Sequence, residues 1–347
     1  LKIAKLLKSL VIVGAASAAL VGQSAFADQD FKGKTLVVGV WGGDIEKLIR
    51  DHVVGPLEQE TGAKVELLLG GTGDRFAKLY AEKDNPTMDV AFLNIFQAPQ
   101  AEKDGIVVAP DENASFYKDI WPGMNQGCYA MSLNGLGIVY NKDMIKKPAE
   151  WSDLWDPQFK GKIALPPFPG AEANGLLAIA ARLAGTDEHD PDAAFAKLKE
   201  LTPVPLTYGN LDELLSLVDS GEIAAAPIIG GYAMASLPNY DNVAFHFPTD
   251  PGPVLVRDML CIVANSPQPE LAKRFAALAL NVDTQTAYAN KLFFGPTNKN
   301  VKLSPEISEK VIDTPEEVNS LVQLDWPYVM SHSSDWTDRW NKEILGN

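Results

Sequence analysis

Thr35-Leu36-Val37-Val38-Gly39-Val40, running into Trp41-Gly42-Gly43, decides how this chain is read. The six residues are almost all apolar and rich in β-branched side chains, with no polar alternation. That pattern marks a strand covered on both faces. Directly after the glycines, Ile45, Leu48, Ile49 and Val53 recur at helical spacing. Gly55-Pro56 should break or kink that helix, with Leu57–Glu60 resuming it for a turn. Gly62 is placed to end the helix, and Lys64–Leu69 reads as the next strand. Phe76–Ala81 reads as a helix and Met88–Leu93 as a third strand. A βαβαβ start implies right-handed crossovers and a parallel sheet with helices on both faces.

A second set of α/β signals follows. Lys162–Leu165, Val204–Thr207, Ile223–Ile228 and Asn242–Phe247 read as extended, with helices over Asn174–Ala184, Asp192–Leu201 and Leu211–Val218. Two sets in series suggest two lobes. About 320 residues beyond the leader described below is long for a single core, which agrees. Two segments fit neither set. Cys128–Leu133 and Leu136–Tyr140 are apolar strands broken by Asn134-Gly135, and Met259–Val263 follows the loop Asp250-Pro251-Gly252-Pro253. Both are read as places where the chain passes between lobes. From Ser304 onward the pattern is helical, with Pro305 and Pro315 near first-turn positions.

Working outward to the N-terminus, Lys2, Lys5 and Lys8 precede an uncharged apolar run from Leu10 to Val21. Ser24-Ala25-Phe26-Ala27 then supplies a small-x-small pattern. Residues 1–27 are therefore expected to be an export signal cleaved after Ala27, which places the mature protein in the periplasm. The leader holds three lysines and no acids, so its loss takes the net charge from −15 to −18. Such an acidic chain is a poor partner for nucleic acid or anionic membranes. A freely diffusing monomer is the expectation. Cys128 and Cys261 are the only cysteines. An exported chain can oxidise such a pair, but both lie in apolar runs, and two buried free thiols are the favoured reading.

Familiar catalytic patterns are missing. His52, His189, His246 and His332 show no metal-ligand spacing, and neither a Gly-x-Ser-x-Gly elbow nor a Walker motif occurs. Neither metal nor cofactor is expected. Chemistry is concentrated instead at the carboxyl ends of the strands, where open parallel sheets bind ligands. Trp41-Gly42-Gly43-Asp44, Gly70-Gly71-Thr72-Gly73-Asp74 and Asn94-Ile95-Phe96-Gln97 end the first three strands. Pro166–Gly175, Tyr208-Gly209-Asn210 and Gly230-Gly231-Tyr232 end strands of the second set. Glycines admit a ligand close to the backbone, and the aromatics can stack on an alkyl chain or face a cation. Each loop alone is equally a tight turn, so the weight lies in their recurrence across both sets.

Those stretches resemble the periplasmic solute-binding proteins of the spermidine/putrescine type, the receptor components of ABC importers. The resemblance rests on Val40-Trp41-Gly42-Gly43, Thr61-Gly62-Ala63-Lys64-Val65, Asn85-Pro86-Thr87-Met88-Asp89-Val90 and Gly137-Ile138-Val139-Tyr140-Asn141. Further on it rests on Trp151-Ser152-Asp153-Leu154-Trp155-Asp156-Pro157, Ser220-Gly221-Glu222, Gly295-Pro296-Thr297-Asn298 and Trp336-Thr337-Asp338-Arg339-Trp340-Asn341. It implies an α/β, two-lobe periplasmic binding protein fold of type II, with a ligand cleft between lobes joined by two β crossovers. Lobe 1 is then 28–133 plus 259–302, and lobe 2 is 134–258 plus 303–347, the tail returning to the second lobe. It also implies no catalysis, a small-molecule ligand, hinge closure and docking on an inner-membrane permease.

The expected ligand-binding residues are Trp41, Gly42, Gly43, Asn94, Tyr208, Tyr232, Arg257 and Asp258. Asp258 heads the candidate acids, ahead of Asp44, Asp74, Glu172 and Asp212, because it sits at a crossover. Strand alternation should turn only one of Arg257 and Asp258 inward. An inward Arg257 would make a 4-aminobutyrate-like zwitterion as strong a candidate as putrescine, and a solvent-facing one would favour a simple diamine. The rival reading is an exported enzyme on the same fold acting on a small polar metabolite, although no acid/base pair is visible for it.

Overall fold

The computed structural model describes residues 31–147 and 149–346. The leader and its cleavage after Ala27 lie outside the described residues. The strands are β1 (Thr35–Val40), β2 (Lys64–Leu69), β3 (Val90–Asn94), β4 (Val107–Val108), β5 (Tyr129–Ala130), β6 (Asn134–Asn141), β7 (Ala225–Ile229), β8 (Val243–His246), β9 (Val254–Val256) and β10 (Asp258–Val263). They form two sheets. The first has the order β2-β1-β3-β10-β4, with β5 also on β10. Its β1, β2 and β3 are parallel, as the βαβαβ pattern requires, while β10 runs antiparallel to β3. The second is built around β6, which pairs antiparallel with β7, β8 and β9. Isolated parallel bridges at Ile163–Ala225 and Leu165–Thr207 extend it.

The chain changes sheet between β5 and β6, and again between β9 and β10. These are the two crossovers, and they are bonded to each other. Met131 N donates to Asp258 O at 2.8 Å, and the Ser132 hydroxyl meets Asp258 Oδ2 at 3.2 Å. Leu133 and Gly295 exchange backbone bonds beside them. The tail packs on the second sheet's side. Val322 bridges Val254, the Trp340 ring stacks on Phe168 at 5.2 Å, and Arg339 pairs with Asp192 at 2.8 Å.

Three expectations are corrected. The first helix is not broken at Gly55-Pro56. It runs from Asp44 to Thr61 through a π-helical turn at Arg50–Val54. Pro56 has no N–H to give to the carbonyl four residues back, and a wider turn just before it absorbs the misfit. Asn134-Gly135 is not the break between the two strands but the buried start of β6, opposite Val256 and Leu255. The glycine is required by packing, since a Cβ at 135 would sit 2.9 Å from the Phe247 ring. Lastly, Cys128 and Cys261 are not free thiols but a disulfide. Tyr129 pairs with Leu260 in the β5–β10 ladder, which sets the two cysteines opposite each other with Cα atoms 4.8 Å apart. Pairing between strands 133 residues apart leaves no local trace in the sequence.

No described helix is long and apolar enough to cross a membrane.

Candidate functional site

A cavity of about 220 Å³ lies where the two sheets meet. The end of β3 brings Asn94, Ile95 and Phe96 to it, and the start of β10 brings Asp258, the register partner of Asn94. The crossovers add Ser132 and Asn134 on one chain, Val256 and Arg257 on the other. The second lobe contributes Gly170, Ala171 and Glu172 at the start of the helix Ala171–Leu183, then Ile229 and Tyr232 at the end of β7. Phe294 closes one side, its ring 6.0 Å from that of Tyr232.

Tyr232 can reach the cavity because Gly230 and Gly231 precede it. A Cβ on Gly231 would fall 2.4 Å from the Phe294 ring and 2.7 Å from Asn134 Nδ2. Asn134 in turn accepts the Gly231 N–H at 3.2 Å and the Gly135 N–H at 3.0 Å through Oδ1. A polar side chain at the head of an apolar crossover thus anchors the next element.

Burial dominates the electrostatics. It lifts the Asp258 carboxyl to about 6, against the pull of the Ser132 hydroxyl and the Arg75 guanidinium. Burial likewise raises Glu172, and it raises the Tyr232 hydroxyl with help from the charges of Asp258 and Glu172. Arg257 is pushed down to about 9 by burial alone. The site therefore holds two carboxyl groups whose charges are poorly compensated within the protein, and the Arg257 guanidinium lies buried against Met124 beside it.

Of the residues singled out from sequence, Asn94, Tyr232, Arg257 and Asp258 meet at this cavity. Arg257 and Asp258 both border it, but the Arg257 guanidinium runs to Met124 Sδ, 3.2 Å away and outside the cavity wall, while the Asp258 carboxyl meets Ser132, so the two side chains part as strand alternation predicts. Trp41, Gly42, Gly43 and Tyr208 are not in its wall. Trp41 is half-buried behind it. Its Nε1 donates to Thr72 Oγ1 at 2.9 Å, its edge meets Phe92, and the Arg75 guanidinium lies 5.1 Å from its ring. Gly43 begins the first helix with φ 72°, a conformation that explains the glycine without a ligand. The Tyr208 hydroxyl is spent on the Pro227 carbonyl at 2.5 Å.

Sequence reasoning passed over Ser132, Asn134 and Phe294, and left Glu172 among secondary acids. Ser132 and Asn134 had a usable signal, being polar residues inside an apolar crossover. Phe294 had none, since its place depends on the Leu133–Gly295 bridge. Among the described residues no group of three or more His, Cys, Asp or Glu is placed to hold a metal ion.

A cavity walled by both lobes at their crossovers is the site of a protein that encloses a small solute. The sequence matches the bacterial extracellular solute-binding proteins over residues 53–314, and the chain belongs to that family. A protein of Salmonella typhimurium, provisionally named 2-aminoethylphosphonate-binding periplasmic protein, is 27% identical over 290 residues, spanning 81% of this chain and 83% of its own. The spermidine/putrescine-binding periplasmic protein of Escherichia coli is 25% identical over 276 residues, 73% of this chain and 77% of its own. The crystal structure of an ABC transporter protein from Clostridium perfringens superposes with a TM-score of 0.79 at 29% identity. It covers 89% of this chain and 99% of that one.

Proposed function

We propose that this protein is the periplasmic receptor of an ABC importer and captures a small amine-containing solute in the interlobe cavity. The observation that carries this reading is the pair of half-buried carboxyl groups, Asp258 from the first sheet and Glu172 from the second lobe, in one cavity wall. A bound ammonium satisfies them at the point where water is excluded, and the rings of Tyr232, Phe96 and Phe294 cover its methylenes. The relatives named for polyamine and aminoethylphosphonate binding point to the same amine chemistry.

Binding of this kind selects the closed arrangement, because only there does the solute touch both walls. The moving bodies are 28–133 plus 259–302 and 134–258 plus 303–347. The closed receptor then docks on an inner-membrane permease. The cavity of about 220 Å³ is below the roughly 300–1,000 Å³ of drug-sized sites, which favours a solute of few heavy atoms over spermidine.

Calorimetric titration with putrescine, spermidine, 4-aminobutyrate and 2-aminoethylphosphonate tests the proposal. A Kd near micromolar, worth about −8 kcal/mol, is expected for at least one short amine. Absence of binding to all four, or turnover of a bound compound, would overturn it.

A further inference from the structure

Phe96 forms part of the cavity wall just beyond β3, where it is half-buried. The ring packed against it comes from the other end of the chain. The indole of Trp326, 1% exposed, has its centroid 5.8 Å from that of Phe96 at an interplanar angle of 48°. Trp326 is not itself in the cavity wall. It opens the helix Trp326–Ser331, whose N-cap Asp325 accepts the Tyr328 N–H at 3.1 Å.

That helix is fastened to the element that carries Glu172. The Asp325 N–H donates to Glu188 Oε1 at 2.9 Å, and Glu188 Oε2 pairs at 2.9 Å with Arg182, in the last turn of the helix Ala171–Leu183. The Tyr328 ring lies between those of His189 and His332, with centroids 4.4 and 4.2 Å away. One helix thus delivers Glu172 to the cavity at its start and, through Arg182 and Glu188, holds the seat of Trp326 at its end. The same tail segment borders a groove of about 540 Å³, where Leu324, Asp325 and Pro327 meet Pro99 and Glu102. Neighbours relax part-way into the space left when a buried side chain is shortened. A smaller residue at 326 therefore gives the Phe96 ring room to retreat from the cavity.

We infer that Trp326 is a positioning residue that limits the length of solute the cavity accepts, by holding the Phe96 ring inward. It acts through Phe96 and touches no solute. This inference rests on the amine-receptor reading and adds the part of the molecule that limits solute length. In a cavity of about 220 Å³ there is little slack, and one methylene too many or too few in an apolar pocket changes affinity by about ten- to two-hundredfold.

The experiment compares each short amine with the homologue one methylene longer by calorimetry. The pairs are putrescine with cadaverine, 4-aminobutyrate with 5-aminopentanoate, and 2-aminoethylphosphonate with 3-aminopropylphosphonate. The proteins are the wild type, Trp326→Leu, Trp326→Phe and, as a control, Trp151→Leu. Trp151 is equally buried, bonds the Gly252 carbonyl through Nε1 at 3.3 Å and is not in the cavity wall. For the pair whose short member binds the wild type, the longer homologue should bind about tenfold weaker or worse. Trp326→Leu should shift that ratio toward the longer homologue by more than about fivefold, and Trp326→Phe should shift it less, in the same direction. Trp151→Leu should melt lower yet leave the ratio within about threefold. Lost stability alone weakens both members of a pair together, so the ratio separates positioning from folding. Trp326→Phe keeps a ring in the seat and removes an indole N–H that has no acceptor, so it should stay folded even where Trp326→Leu does not. A smaller shift in Trp326→Leu, or none in Trp326→Phe where the leucine variant does not fold, overturns the inference and leaves the receptor standing. So does a wild-type protein that takes the longer homologue as well as the short one. Failure of every probe on the wild-type protein overturns the receptor reading and the inference with it.

Discussion

Asp258 shows what a single residue contributes. Burial lifts its carboxyl to about 6, whereas an unfolded aspartate titrates near ~3.9. The folded state therefore holds the proton more tightly. Stability from this group is full below about pH 4 and is lost as the pH rises through 6. Asp258→Asn should then melt higher than the wild type at pH 7.5, which a thermal melt checks. Binding has the opposite sign, because an ammonium requires the carboxylate. Affinity for the amine should be flat above about pH 7 and fall by up to tenfold per unit below about pH 6. Titration between pH 5 and 8 reads this directly, and an amine affinity unchanged across that range would remove Asp258 from the amine contact. Asp258 stood out in the sequence because it sits at a crossover, and the structure places it at the cavity. Trp41 was equally conspicuous in sequence, yet its indole is taken up by Thr72, Phe92 and Arg75 behind the cavity wall. Residue type advertises capacity to bind, and neighbours decide whether it is already used.

At the scale of elements, the crossovers carry the most consequence. The Cys128–Cys261 bond encloses β5 to β9, a separation of 133 residues, and ties both crossover chains on the first-lobe side. Closing so long a loop restricts the unfolded chain by on the order of 5 kcal/mol. Reduction, or the paired Cys128→Ser/Cys261→Ser change, should lower the melting temperature sharply under otherwise equal conditions. Differential scanning calorimetry with and without reductant measures it. The helix-opening glycines make a separate claim. Gly231→Ala places a methyl 2.4 Å from the Phe294 ring, an overpacking of roughly 1–3 kcal/mol. That variant should lose stability and, because Tyr232 is displaced, lose solute affinity as well. A melt unchanged from wild type would show that Phe294 gives way freely. Helix and strand positions followed well from periodicity, including β1 and β2 to the residue. The exceptions, the π-helical turn before Pro56 and the strand at Asn134-Gly135, arise where local preference met a packing demand from elsewhere in the chain.

For the whole molecule, the cavity between the sheets predicts motion. On the proposed function, a solute held by Asp258 on one side and by Glu172 and Tyr232 on the other would stabilise the closed state by its differential contacts. Small-angle scattering should show a smaller radius of gyration at saturating solute. Identical curves with and without a tightly bound solute would refute closure.

The sequence by itself determined the two α/β sets, the two crossover segments and the family resemblance. Those depend on periodicity, on glycine and proline placement and on short ordered motifs, all local along the chain. Only the tertiary structure decided that β6 pairs antiparallel with β7, β8 and β9, that Cys128 meets Cys261, and that the Arg257 guanidinium is buried against Met124. Each of these is a contact between residues far apart in sequence. Their energies depend on which distant groups come to face them, and a chain read residue by residue does not carry that information.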